Sequence, residues 1–526
     1  MRRILTLALA TVALAHPAAA QSFPTDDPIL KRIWALGMDS SQTYPLAQAL
    51  LDSVGPRLTG TPNQKSGIDW LLSKYRAWGI NARAEQYGTW RGWRRGISHI
   101  DLIQPRVRSL EGMTLAWSPG TPRGSAVDAT TVIFPDVGSP AELDAWLPQA
   151  RNKYVLISVA QPTCRPDDNW QQYADTASFT RMKTMRDQMT RQWNLRLLRA
   201  SGDTSTSFAL RTLAPKLEAA GVRGLVGNRW SDGWGVDKIF NARTQQTPTI
   251  DLSCEDYGLV YRLTENHQNP LLRIQAESEN LGEVPVFNVI GEIRGSQKPD
   301  EYVFLSAHFD SWDGSSGGVD NGTGTITMLE AMRILKQAYP NPKRTIIVGH
   351  WSGEEQGLVG SRAFAADHPE IVKGLQALFN QDNGTGRVVN VAASGLLDAT
   401  SNLAGWLARV PREISRNITF GFAGSPASGG SDNASFACYG APAFSLGSLS
   451  WDYGKYTWHT NRDTFDKIVW DDLKNNVVLT AMLAYLSSED PTTLSRARAN
   501  VFGFSGRPTE WPQCTTPPRK SSEWTR

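Results

Sequence analysis

Side chains able to bind metal ions follow predicted strands in the second half of this 526-residue chain. Three apolar runs typical of buried strands are each followed closely by acids or a histidine: His308 with Asp310, Glu354 with Glu355, and Asp382. Functional side chains of open α/β sheets gather at the carboxyl ends of strands, so we expect these residues to share one site. Asp320 and His459 carry the same chemistry and are assigned to that site.

Histidine and carboxylate together favour zinc, and less often manganese or cobalt. Two metal ions about 3.5–4 Å apart, the spacing used in two-metal hydrolysis, need five ligands when one carboxylate bridges them. Two histidines and three acids supply that number and leave one carboxylate beside the attacking water as a general base. The adjacent Glu354 and Glu355 suit this division, with one directed to metal and the other to water.

Each of these residues taken alone has an ordinary structural explanation. A lone buried histidine is commonly structural, an acidic pair is commonly solvated, and an aspartate before a helix commonly caps it. Asp382 in a turn and His459 in a surface loop would be equally unremarkable. Several carboxylates and two histidines at the ends of strands in one sheet are not explained in this way, so a metal site is the favoured interpretation.

The elements that must position these residues alternate between strand and helix. This order predicts the α/β class, with a mostly parallel sheet flanked by helices. The predicted strands are 302–306, 345–348 and 377–379, and the predicted helices are 323–339 and 471–487.

The first twenty residues are typical of an export signal. Arg2 and Arg3 precede a mainly apolar run, 4–15, and 18–20 ends in a small-residue cleavage pattern. The run is shorter than the roughly 20 residues that span a bilayer, and no later stretch is long and apolar enough. We therefore expect a secreted or periplasmic protein without a membrane span. Its net charge of +3 gives no reason to expect nucleic acid or an anionic membrane as a partner.

The four cysteines fit an oxidising compartment, and none has the C-x-x-C spacing of a zinc or redox motif. Cys164 and Cys254 fall in one predicted domain and are a candidate pair. The sequence does not decide how these two, Cys438 and Cys514 are paired.

Five motifs in order resemble the co-catalytic dizinc exopeptidases, a family of zinc aminopeptidases and glutamate carboxypeptidases. They are HFDSWDGSSGGVDNGTG, HWSGEEQGLVGS, FNQDNG, SGGSDNASF and WHTNRDTFD, preceded by GPRLTGTPNQKSGIDWLLSKYRAWGI. The resemblance covers most of the chain after the signal, and the motif spacing looks most like the plasma glutamate carboxypeptidase (carboxypeptidase Q) group. It implies a zinc-peptidase fold with an inserted protease-associated domain.

The resemblance also implies the metal ligands. Asp320 would bridge two zinc ions, with Co²⁺ or Mn²⁺ as substitutes. His308 and Asp382 would complete one site, and Glu355 and His459 the other.

Two further roles are implied by the same resemblance. Glu354 would be the general base, and Asp310 would orient the His308 imidazole. The second role also has a physical basis, because a ligating histidine usually donates its other N–H to an acceptor. Asn380 and Gln381 stand where relatives often carry an acid, which leaves the charge beside Asp382 open.

The expected domain organisation has five parts. It comprises a signal peptide at 1–20, the N-terminal part of the peptidase domain at 21–115, an inserted domain without catalytic residues at 116–285, the metal-binding core at 286–490 and a tail at 491–526.

The resulting functional hypothesis is a dizinc exopeptidase that hydrolyses short peptides or dipeptides. Its alternatives are a single-zinc acyltransferase like glutaminyl cyclase and a non-enzymatic, receptor-like relative. The sequence leaves open a homodimer, the preferred side chain, and which peptide end is bound. Asp432 is the candidate anchor for an amine, and 429–431 with Lys455 are the candidates for a carboxylate.

Overall fold

A computed structural model describes residues 25–382, 384–393, 395–420, 424–499, 507–508 and 510–524. The predicted signal peptide, residues 1–20, lies outside the described residues.

The strands are numbered in chain order. They are β1 Asn81–Gln104, β2 Arg108–Ser109, β3 Gly112–Thr114, β4 Val127–Ile133, β5 Tyr154–Leu156, β6 Gly224–Gly227, β7 Thr249–Leu252, β8 Leu271–Ile293, β9 Lys298–His308, β10 Arg344–Trp351, β11 Leu375–Asn380, β12 Val388–Ala392, β13 Thr419–Phe420 and β14 Ala443–Ser448.

The α-helices are numbered in the same way. They are α1 Pro28–Trp34, α2 Thr43–Gln48, α3 Pro62–Ala77, α4 Pro140–Trp146, α5 Asp167–Tyr173, α6 Thr176–Ser201, α7 Thr206–Ala219, α8 Cys254–Glu265, α9 Thr323–Ala338, α10 Val359–Asp367, α11 Pro369–Gly374, α12 Ala399–Leu407, α13 Arg412–Ser415, α14 Ala434–Ala437 and α15 Trp470–Glu489. Short π-helical turns occur at Ala35–Asp39, Ala49–Val54 and Tyr453–Thr457, and 3₁₀ turns at Leu147–Ala150, Phe465–Lys467 and Ser521–Trp524. The turns at Pro122–Gly124 and Gly318–Gly322 contain non-helical residues, among them Asp320.

The centre of the sheet is parallel, in the order β14-β11-β9-β10. Strand β8 adds antiparallel to β10, and β12 adds antiparallel to β14. Every residue of β10 and β11 is buried, as expected for parallel strands covered on both faces. The predicted α/β class is confirmed, and the sheet is mixed because antiparallel strands flank its parallel centre.

Alternate residues of β9 pack into different cores, which explains its apolar run. Val303 and Leu305 join the large core that contains helices α9 and α15, whereas Phe304 packs with Trp351 and Phe364 on the opposite face. Side chains of a strand alternate between faces, so both layers anchor this strand. Packing on both faces holds β9 in place up to its last residue, His308.

The segment between β3 and β8 forms its own parallel set, β4-β5-β6-β7, with β3 antiparallel at its edge. Helices α6 and α7 cover one face and α8 the other. The long antiparallel ribbon of β1 and β8 connects this set with the main sheet, from Asn81 paired with Glu292 to Gln104 paired with Leu271.

Two disulfides, Cys164–Cys254 and Cys438–Cys514, join distant parts of the chain. The first is the pair considered from the sequence. Such bonds are typical of oxidising compartments. Among the described helices, none combines the length and apolar character that crossing a bilayer requires.

Candidate active site

The carboxyl ends of β9, β10 and β11 bring the predicted residues together. His308 ends β9, Glu354 and Glu355 follow β10 in a tight turn, and Asp382 follows β11. The turn after β10 is closed by the main-chain N–H of Val359, which donates to the Gly353 carbonyl at 2.9 Å. The strand order therefore converts three separate motifs into one cluster.

His308 faces two carboxylates through one ring nitrogen. Its Nε2 lies 2.9 Å from Asp382 Oδ1 and 3.4 Å from Asp320 Oδ1. Its Nδ1 lies 2.9 Å from the main-chain carbonyl of Asp310. A carbonyl only accepts, so Nδ1 carries the proton and Nε2 is the atom directed into the cluster.

His459 makes the matching pair of contacts on the other side of Asp320. Its Nε2 lies 2.9 Å from Glu355 Oε2 and 3.4 Å from Asp320 Oδ2. The indole N–H of Trp312 donates to the same Glu355 oxygen at 2.7 Å. Asp320 thus directs one carboxylate oxygen to each histidine, and the five predicted ligands form two groups that share it.

The Asp310 side chain has a different contact from the one expected. Its nearest carboxylate oxygen is 3.7 Å from His308 Nδ1, beyond hydrogen-bond distance, because the main-chain carbonyl of Asp310 occupies that position. The carboxylate instead accepts the main-chain N–H groups of Glu354 at 3.2 Å and Glu355 at 3.3 Å. Asp310 faces the imidazole as expected, but through its carbonyl, while its carboxylate holds the turn that presents the two glutamates.

The donor atoms fit a metal centre. Among the described residues, Asp320 Oδ2 and Glu355 Oε1 are buried without a hydrogen-bond partner. A buried carboxylate oxygen without a partner costs about 1–3 kcal/mol or more, a cost that a bound cation removes. Two sets of three donors lie close enough together to hold an ion, one of His308, Asp320 and Glu355, and one of His308, Glu354 and Asp382. These sets share His308 and leave out His459, so they differ from the predicted sets, which share Asp320.

The electrostatics of the two histidines differ. Burial by itself lowers the pKa of His308, but the charges of Asp382 and Glu354 outweigh it and raise that pKa well above its usual value. Burial lowers the pKa of His459 to about 4, so this imidazole is neutral at pH 7. A neutral imidazole is the form that binds metal.

Glu354 lies beside His308 and Asp382 but is not one of the five predicted ligands. Burial, with Asp382, Asp432 and Glu355 nearby, raises the pKa of its carboxyl well above the usual value, against the effect of His308. A carboxyl with a raised pKa can take up and return a proton near neutral pH.

Several supporting residues were not singled out from the sequence. Arg57 is fully buried and donates to the carbonyls of Phe309 at 2.8 Å and Gly317 at 2.9 Å, which fixes the loop between His308 and Asp320. Asp463 is a second supporting residue, because its Oδ2 accepts the main-chain N–H of Asp320 at 2.9 Å. Both Arg57 and Asp463 lie inside motifs that carry the resemblance, and that position was the available sequence signal.

No local sequence signal marks Lys238, which comes from the segment 116–285. Its Nζ lies 4.5 Å from the ring centre of Trp458, and its side chain is buried. The next residue, Ile239, donates its main-chain N–H to the His459 carbonyl at 2.7 Å. This segment therefore contributes to one wall of the site.

The candidate anchors for peptide ends fall in different places. Asp432 is fully buried and neither of its oxygens has a hydrogen-bond partner among the described residues. Burial raises the pKa of the Asp432 carboxyl to about 7, and the charges of His308 and Asp382 also act on it. Lys455 is not available as an anchor, because it forms an ion pair with Asp168 and lies 3.8 Å from Asp232.

Comparison with known proteins supports this picture. The sequence model of Peptidase family M28 matches residues 288–484. Carboxypeptidase Q of Mus musculus is 24% identical over 350 residues, a match that spans 66% of this chain and 66% of that protein, just under two thirds.

Two solved structures share the fold. The peptidase M28 precursor from Shewanella amazonensis SB2B has a TM-score of 0.63 and 25% identity, over 89% of this chain and 97% of that one. BSAP, a zinc aminopeptidase from Bacillus subtilis, has a TM-score of 0.54 and 18% identity, over 87% of this chain and 97% of that one. The matched range 288–484 includes all seven predicted site residues, and the chain therefore contains a peptidase family M28 domain.

Proposed function

We propose that the protein is a dizinc exopeptidase, exported from the cytoplasm, that hydrolyses short peptides with free ends. The observation that carries this proposal is the position of Asp320, whose two oxygens each lie 3.4 Å from a different histidine. The similarity to carboxypeptidase Q and to a zinc aminopeptidase supports both the metal and the reaction.

Five residues would hold the ions in this proposal. His308 and Asp382 would bind one, His459 and Glu355 the other, and Asp320 both. When bound, two zinc ions would supply Lewis-acid chemistry, polarising the scissile carbonyl and making water more acidic.

The chain's own residues would move the proton. The Glu354 carboxylate takes a proton from the attacking water and returns it to the leaving amine. The main-chain hydrogen bond from Glu354 to Asp310 Oδ1 fixes where its side chain starts.

Asp432 would bind the free amine of the substrate. It is a buried carboxylate without a hydrogen-bond partner among the described residues, and an ammonium group would satisfy it. A peptide with a blocked amino end is therefore expected to be hydrolysed much more slowly than its free form.

Metal analysis of variants tests the ligand assignment. Asp320→Ala should empty both positions, whereas Asp382→Ala should weaken mainly one, as measured by zinc per chain after dialysis. Two tightly bound zinc ions in Asp320→Ala would contradict the shared-ligand assignment. One zinc per wild-type chain with cyclisation of N-terminal glutamine would favour the glutaminyl cyclase alternative.

Export is supported by the two disulfides. Fusion of residues 1–20 to a reporter enzyme that is active only outside the cytoplasm should give activity. Activity that is unchanged when 4–15 is replaced by polar residues would contradict the signal peptide.

A further inference from the structure

Four consecutive residues of the inserted segment contact the loop that carries His459. These residues, 237–240, are named the clamp segment. They lie antiparallel to the loop, with Lys238 opposite Thr460. Ile239 donates its main-chain N–H to the carbonyl of His459 at 2.7 Å. The backbone of a predicted metal ligand is thus hydrogen-bonded to a segment more than 200 residues earlier in the chain.

Asn461 attaches the next part of the same loop to the clamp segment. Its side-chain Oδ1 accepts the main-chain N–H of Asp237 at 2.9 Å, and its Nδ2 donates to Asp237 Oδ2 at 3.1 Å. Its main-chain N–H also donates to the Asp237 carbonyl at 3.0 Å. These hydrogen bonds join two residues through both main chain and side chain, two positions after His459.

The clamp segment also contacts the imidazole ring of His459. The ring of Phe240 makes a T-shaped contact with it, at 5.0 Å between ring centres. The ring of Trp458 packs on the imidazole at 4.1 Å, and Lys238 Nζ lies 4.5 Å from the centre of that indole. Both the backbone and the side chain of His459 therefore depend on the clamp segment for their surroundings.

The second ring nitrogen of His459 distinguishes it from His308. A ligating histidine usually donates its other N–H to an acceptor, as His308 Nδ1 does to the Asp310 carbonyl at 2.9 Å. His459 Nδ1 is buried and has no hydrogen-bond partner among the described residues. The direction of this imidazole is therefore set by its packing and its backbone rather than by a hydrogen bond at Nδ1.

The backbone of His459 has an unfavourable conformation. Its φ is +57°, in the left-handed region that residues with a Cβ rarely occupy. Such a conformation persists only where the surrounding contacts impose it. The hydrogen bond from Ile239 to the His459 carbonyl and those of Asn461 are placed to do so.

We propose that the clamp segment is a positioning element for the metal ion assigned to His459 and Glu355, and that loosening it weakens this ion selectively. The proposal rests on the dizinc exopeptidase function proposed above. It gives the inserted segment a role in the metal centre although that segment supplies no ligand. The ion assigned to His308 and Asp382 should not depend on the clamp segment, because the Asp310 carbonyl orients His308.

Two variants loosen the clamp in different ways. Asn461→Ala removes the side-chain hydrogen bonds to Asp237. Phe240→Leu removes the ring contact with His459 but keeps an apolar side chain, and it breaks no hydrogen bond of the clamp. The matched controls are Asn266→Ala and Phe208→Leu, at exposed positions of the inserted segment.

Zinc affinity measured separately for each ion tests the proposal. Competition with a zinc chelator gives the affinities, and anomalous peak heights in crystals grown at limiting zinc show which ion is lost. In both clamp variants the affinity at His459 should fall about tenfold or more, as for other residues that support ligands, and at His308 less than about threefold. Both controls should keep both affinities.

Thermal unfolding of the zinc-free proteins separates positioning from general stability. Selective loss of the ion at His459, with a zinc-free Tm equal to that of the matched control, is the result expected. If Asn461→Ala does not fold, Phe240→Leu decides the test by itself. Equal weakening of both ions would overturn the proposal, because it would indicate a general loss of structure.

The same measurements distinguish this proposal from the proposed function. Two zinc ions bound with the same affinities in the wild type and in both clamp variants would overturn the clamp assignment and leave the exopeptidase function intact. A wild type that binds fewer than two zinc ions would refute the dizinc function, and the clamp assignment with it.

Discussion

Asp463 holds the main chain of Asp320 in place. Its Oδ2 accepts the Asp320 N–H at 2.9 Å, and its Oδ1 accepts the N–H of Val319 at 2.6 Å. The main-chain hydrogen bonds fix the turn that precedes α9, where Asp320 must present one oxygen to each histidine. The position of the central carboxylate thus depends on a residue 143 positions later in the chain.

Replacing this support should weaken metal binding without removing any predicted ligand. In Asp463→Asn an amide NH2 group replaces one carboxylate oxygen and cannot accept from the main chain, so the turn loses one of its two hydrogen bonds. We expect zinc affinity to fall about 10- to 100-fold, the range for residues that support ligands. Competition with a zinc chelator measures it, and unchanged affinity would contradict the role.

Glu354 and Glu355 should respond differently to the same substitution. Glu354→Gln should keep the zinc content of the wild type and lose at least about a hundredfold in kcat, the low end for a general base. Glu355→Gln should lose zinc, because its carboxylate contacts His459, the ligand predicted for the same ion. Zinc loss from Glu354→Gln equal to that from Glu355→Gln would show that the two roles are exchanged.

The elements that carry the site could be predicted from sequence because each is a local pattern. The apolar run 302–306 lies within β9, 345–348 within β10 and 377–379 within β11, and the helix expected at 323–339 is α9. A buried parallel strand and an amphipathic helix each have a hydrophobic period visible in a few residues. Once the strands are located, the acids and histidines at their carboxyl ends can be read from the sequence.

Contacts between distant segments could not be predicted in this way. The ribbon of β1 and β8 pairs Asn81 with Glu292, a register that no local pattern specifies. The same applies to Lys238 and Phe240, which are more than 200 residues before His459 in the chain, yet contact Trp458 and His459 respectively. These residues became visible only through the tertiary structure.

Arg57 should contribute strongly to stability. Its buried guanidinium satisfies several carbonyls, among them those of Phe309 and Gly317. Arg57→Met leaves them without donors, at about 1–3 kcal/mol for each, so urea denaturation should show a loss of about 3 kcal/mol or more. The exposed Arg76→Met is the control, and equal stability of the two variants would contradict the role of Arg57.

A pH-dependent contact joins β1 to the end of α10. His368 Nε2 lies 2.6 Å from Glu85 Oε1. The hydrogen bond to Glu85 raises the pKa of His368 above 6.5. The protonated His368 therefore contributes its full stability to the fold below pH 6.5, and that stability is lost as pH rises through the raised pKa. Burial alone would raise the pKa of Glu85, but hydrogen bonds from His368 and Arg83 lower it below 4.5. The ionised Glu85 therefore contributes its full stability above pH 4.5, and that stability is lost as pH falls through the lowered pKa.

The contact should therefore stabilise the fold most between pH 4.5 and 6.5. The difference in Tm between wild type and His368→Gln should be larger at pH 5.5 than at pH 9, whereas the exposed His99→Gln should give a small difference at both. A difference for His368→Gln that is independent of pH would contradict this account.

The central claim is that Asp320 is shared by two metal ions. Crystals of the zinc-loaded protein, measured at the zinc absorption edge, test it most directly. We predict two anomalous peaks about 3.5–4 Å apart, one beside His308 and Asp382 and one beside His459 and Glu355, each in contact with a different oxygen of Asp320. A single peak, or two peaks that Asp320 does not contact, would contradict the account.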